Sequence, residues 1–127
     1  MSYHDWQDWI GLPHRVGADP RDGEAACCLR MVYAIYEEVG LPIPEFDRAW
    51  IRMAKQARWA DLYEEFESVT YQIGDQELWA LVPLIATDSF GIGVVVQDDM
   101  LLCPHHRRGV VAIPLAVMPS PTFHRPL

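Results

Sequence analysis

The sequence predicts a mixed α+β domain, with helices in its first part and a small antiparallel sheet after them. Three observations carry that expectation. Residues 23–40, GEAACCLRMVYAIYEEVG, repeat apolar side chains at spacings of three and four, the period of a helix with one buried face. Residues 44–69 continue in the same manner. After Gly74 the pattern changes to short runs rich in Val, Ile and Leu, interrupted by Asp, Gly or Pro, as strands and their turns are. Helices followed by strands, rather than alternating with them, give the α+β class.

Each element has its own warrant. The stretch DWQDWIGLPHRVGADPRDG is dense in Gly, Pro and Asp and reads as a lead-in, with Trp6, Trp9, Ile10 and Leu12 as its anchors to the core. In the first helix, Ala25, Cys28, Leu29, Val32, Ile35, Tyr36 and Val39 form one stripe, which leaves Cys27 off it. Gly40 suits the residue just past the helix end, and the LPIP that follows cannot continue a helix. The next one or two helices bury Phe46, Trp50, Met53, Ala54, Ala57, Leu62 and Phe66. The strand candidates are ELWALVPLIA, GIGVVVQ, DMLLCP and GVVAIPLAVM, with QDD as a hairpin turn between the second and third. Residues 1–118 make one domain, of which 1–24 are the lead-in, and the Pro-rich 119–127 are expected to form an extended tail.

Composition narrows the function. At 127 residues with half of them hydrophobic, the chain is long enough for a core without covalent staples. A net charge of −8 argues against nucleic acid as a partner. No apolar run of membrane-spanning length occurs, and the acidic, aromatic MSYHDWQDWIG is unlike a secretory signal. All eighteen acids lie at or before Asp99, whereas Arg107, Arg108 and Arg125 follow it. A basic C-terminal segment on an acidic body suits either docking on the acidic face of a neighbouring subunit or simply a few solvated arginines. Trp50, Trp59 and Trp79 are expected to anchor the core or an interface.

Three cysteines, two of them adjacent, are not a disulfide framework. Cys27, Cys28, Cys103, His105 and His106 do not make a metal site either, because neighbouring cysteines face different ways and lack the C-x2-C spacing that zinc ligands show. No cofactor is expected. The sharper question is whether Cys28 is a nucleophile at a helix start or a small apolar residue in the core.

The order of IGLPHRVGADPRDG, a helix opened by cysteine, GLPIP and a small sheet resembles the NlpC/P60 family of papain-like cysteine peptidases, over about Trp9 to Leu115. That family has a G-x-P-Y-x-W-G-G lead-in, a D-C-S-G-L-V or D-C-W-G-L-V helix start and a G-I-x-L-P helix end. Aligning the helix ends places Cys28 on the nucleophile and His14 where the family has Tyr. Cys27 replaces Asp, and Gly23 stands two residues further from Cys28 than the family spacing. The base signature S-H-V-G-I-Y matches SFGIGVVV, which puts Gly91 at the histidine, and the third catalytic position falls on Cys103. The resemblance therefore implies a papain-like domain with two of three catalytic positions vacated.

Without an imidazole, a thiol of ordinary pKa near ~8.5 is little ionised at neutral pH, and the acid–base contribution of about 10²–10⁴-fold is lost. His14, His105 and His106 are the histidines that could replace the base. PHHRRG is expected to face solvent. Phage tail-assembly and tail-tip proteins carry a version of this domain. The resemblance thus implies a structural component of a virion tail, assembled in the host cytoplasm, with tail-tip or hub proteins as partners. An active endopeptidase acting on peptidoglycan through Cys28 is the alternative. A toxin or acyltransferase-like relative of the fold meets the same objection, the absent base.

Overall fold

Helix α1 (Cys28–Val39) starts directly after Cys27, whose extended backbone (φ −126°, ψ 160°) serves as the N-cap. The computed structural model describes residues 5–46, 49–86, 89–97 and 99–127. Met31, Val32, Ala34, Ile35 and Tyr36 are buried along α1. Gly40 closes the helix at φ 77°, with Leu41 N–H reaching back to the Tyr36 carbonyl at 3.0 Å, the closure that a left-handed glycine permits. Two further helices follow, α2 (Trp50–Lys55) and α3 (Trp59–Val69). They are separated by Ala57 at φ 55°. Ala57 is exposed there rather than part of the buried stripe, because the chain has left the helix. Asp47 and Arg48, near the expected start of this region, lie outside the described residues.

Among the described residues, six strands form one antiparallel sheet: β1 (Thr70–Ile73), β2 (Leu81–Ala86), β3 (Ser89–Gln97), β4 (Met100–His105), β5 (Gly109–Pro114) and β6 (Phe123–Pro126). Their spatial order is β1-β6-β2-β3-β4-β5. The fold is thus helices joined to an antiparallel sheet, the expected α+β class. Alternation sorts the side chains of β3. Phe90, Ile92, Val94 and Val96 join α1 and α3 in the main core, and Val95 packs with Val82, Leu101 and Leu115 in a smaller cluster. Gln97 pairs with Met100 across the expected hairpin, whose Asp98 lies outside the described residues.

The segment 119–127 is not extended throughout, as it bends at Ser120 (φ 46°) before running on into the strand Phe123–Pro126, and it is not an appendage. Phe123–Pro126 lies inside the sheet, with β1 on one side and the start of β2 on the other. His124 is buried against the edge of Phe66, ring centroids 4.9 Å apart. Arg125 donates from Nε to Glu77 Oε2 at 2.7 Å, so this arginine is already engaged within the chain.

The lead-in is fixed at both ends. Trp6 and Trp9 are buried, whereas Ile10, expected as an anchor, is 48% exposed because the chain turns outward there. Val110 N–H donates to Leu12 O at 2.8 Å and Gly11 N–H to Val110 O at 2.9 Å, tying the lead-in to β5. Further on, Ala26 N–H donates to Pro13 O at 2.9 Å and Arg15 N–H to Ala26 O at 3.0 Å, a parallel bridge that sets His14 beside the start of α1.

Candidate functional site

The sheet is not equally zipped along β3. Its pairing with β2 runs through six residues, from Leu81↔Val94 to Ala86↔Ser89. Its pairing with β4 covers only Val94↔Leu102, Val95↔Leu101 and Gln97↔Met100. Before Val94, β3 stays with β2. Beyond Leu102, β4 stays with β5 through His105↔Gly109. The two strands part as a fork, and the first turn of α1 meets it: the Cys28 sulfur is contacted by the backbone N–H of Ile92 on β3 and by that of Leu29.

A cleft of about 370 Å³ opens at this fork. Cys28, Gly91, Cys103 and His14, the four positions singled out from the sequence, all line it, and so do His105 and His106. The turn 105–108 therefore does not simply face solvent: His106 and the two arginines are exposed, but His105 is half-buried at the cleft. Trp50, Ile51, Ala54, Trp59 and Leu62 supply the remaining wall from α2 and α3, a contribution that no spacing in the sequence announced.

The two adjacent cysteines exchange the burial expected of them. Cys27 is buried and Cys28 half-buried, because Cys27 precedes α1 and does not follow the helical phase. Desolvation dominates the Cys28 thiol, with a smaller push from Cys27. Together they outweigh the N–H groups of Ile92 and Leu29 and raise its pKa to about 12. Burial likewise pushes Cys103 up to about 11. Among the described residues, no histidine nitrogen hydrogen-bonds the Cys28 sulfur.

The imidazoles have other engagements. His105 Nδ1 accepts from the backbone N–H groups of Arg107 and Arg108, both at 3.1 Å. In the neutral ring the proton therefore sits on Nε2, which makes that nitrogen a donor. The His105 ring stacks on His106 at 4.7 Å. Burial lowers the pKa of His14, and His106 and His105 lower it further. Gly91 is not held by steric need: a Cβ there would meet only Leu84 Cδ1, at 4.0 Å. Gly93, two residues on, differs, since a Cβ would come within 2.9 Å of the Leu101 side chain.

Among the described residues, no three His, Cys, Asp or Glu side chains converge to hold a metal ion, and no helix is long and apolar enough to cross a membrane. No family model matches the sequence, and no curated protein matches it at a significant level.

Proposed function

We propose that this chain is an assembly component of a phage or phage-like tail tip, built on an NlpC/P60-like domain whose peptidase chemistry has lapsed. It acts by binding neighbouring tail-tip or hub proteins in the virion tail. The observation that carries this reading is the state of Cys28: a thiol at a helix start, pushed up to about 12 and without an imidazole on its sulfur. Near neutral pH such a thiol stays protonated. The positions where the resemblance expects imidazoles hold Gly91 and Cys103. Neither can take a proton from the thiol and return it to a leaving amine. Surface suited to a protein partner is present away from the cleft, where exposed Tyr71 and Leu78 adjoin Trp79 and Pro126 around a concavity of about 180 Å³.

One observation favours the alternative, a working endopeptidase acting on peptidoglycan: His14, His105 and His106 line the same cleft as Cys28. Two measurements separate the readings. In the first, purified protein and its Cys28→Ala variant are incubated with peptidoglycan and the released peptides are identified. Lapsed chemistry releases none from either; cleaved stem peptides from the wild type alone overturn the proposal. In the second, Cys28 alkylation is followed against pH. Half-maximal reactivity well above pH 9 fits an unactivated thiol, and a midpoint below about pH 7 reveals an activated one.

A further inference from the structure

The cleft has a chemistry of its own, whether or not the chain assembles into a tail. It falls in the size range of small-ligand sites, roughly 300–1,000 Å³. Two parts of its wall differ in character. Everything that α2 and α3 contribute is apolar: Trp50, Ile51, Ala54, Trp59 and Leu62. The lead-in and the end of β4 contribute three imidazoles, His14, His105 and His106. In a chain with eighteen acids, none of the described lining residues is Asp or Glu. Arg107 and Arg108 follow His106 in the same exposed turn.

That combination selects for a charge sign. His105 presents a donor at Nε2, because its Nδ1 is occupied by two backbone N–H groups, and donors recognise an anion even from a neutral ring. From this geometry we infer that the fork between β3 and β4 binds a small amphiphilic anion. Its apolar body lies against Trp50, Trp59 and Leu62, and its carboxylate lies at His14, His105 and His106.

Decanoate is the probe, with decylammonium as its charge-reversed counterpart. Titration calorimetry on the wild-type protein should give saturable decanoate binding below about 1 mM and at least about tenfold weaker binding of decylammonium. Bound decanoate should slow maleimide labelling of Cys28, resolved by mass spectrometry, because that thiol lines the cleft. Ala54→Trp, which fills the apolar wall, should weaken decanoate at least about tenfold while the thermal midpoint is kept. Equal affinity for both amphiphiles removes the anion selectivity and overturns the inference. So does decanoate binding that leaves Cys28 labelling unchanged, which places the ligand elsewhere; this arm decides even if Ala54→Trp does not fold. Absence of saturable binding overturns it as well. The alkylation pH profile of the free protein decides the loss of peptidase chemistry separately.

Discussion

The two edges of β3 follow opposite plans. Toward β2 the strand is paired over six residues and its side chains divide cleanly between two apolar clusters. Toward β4 it is paired near the hairpin and then released, and the start of α1 fills part of the gap. The closed edge makes a core, and the released edge makes a cleft where backbone and side chains from three elements meet a sulfur. Both edges draw on the same nine residues, so whatever function the cleft has depends on where pairing stops.

Substitutions can test how different the two edges are. The largest effect is expected at the closed edge: Leu81→Ala, at a fully buried site opposite Val94, should cost about 2–5 kcal/mol in urea unfolding. If it costs less than about 1 kcal/mol, that edge is not the rigid one. Next come two neighbouring glycines. Gly93→Ala forces a methyl against Leu101 and should destabilise by about 1–3 kcal/mol. Gly91→Ala meets only Leu84 Cδ1 at 4.0 Å and should stay within about 0.5 kcal/mol of wild type. Equal costs would erase the contrast between closed and released parts of the strand.

Gly91→His probes the chemistry of the open edge. An imidazole added to the cleft wall should move half-maximal Cys28 alkylation downward by at least about one pH unit if it reaches the sulfur. An unchanged profile would mean that the vacancy at Gly91 is not what keeps the thiol neutral. The smallest effect concerns pH. His14 and His124 are both lowered in the folded state, chiefly by burial. The unfolded chain therefore binds protons that the folded one resists. Their contribution to stability is complete above the unfolded histidine range near ~6.5 and is lost as pH falls below it. Unfolding at pH 7.5 and pH 5.5 should show the decline, and His14→Gln should flatten part of it.

Much of this was legible in the sequence, for physical reasons. The three-four stripe and Gly40 specified α1, because helix burial and closure leave local marks. Strands β2 to β5 were visible as β-rich runs between breakers. Strand β1 was not, since Thr70–Ile73 continues from α3 with no turn residue between and shows only Thr70 buried. Strand β6 was hidden by prolines. Pro126 closes a four-residue strand whose partners, β1 and the start of β2, lie tens of residues earlier. At the site, spacing and resemblance picked four residues that do share one cleft. The inward turn of His105 was missed because it depends on how β4 and β5 close, and the Cys27–Cys28 reversal because a helical stripe has no authority over the residue that caps it.

The strap made by the lead-in carries a last consequence. It grips β5 through Gly11 and Leu12 and the approach to α1 through Pro13 and Arg15, and so spans from one arm of the fork to the wedge that holds it apart. Gly109, at φ 77°, lies so close to the Leu12 carbonyl that any added side chain would displace it. Any substitution at Gly109 therefore disturbs the strap's hold on β5 while every residue that lines the cleft is left unaltered.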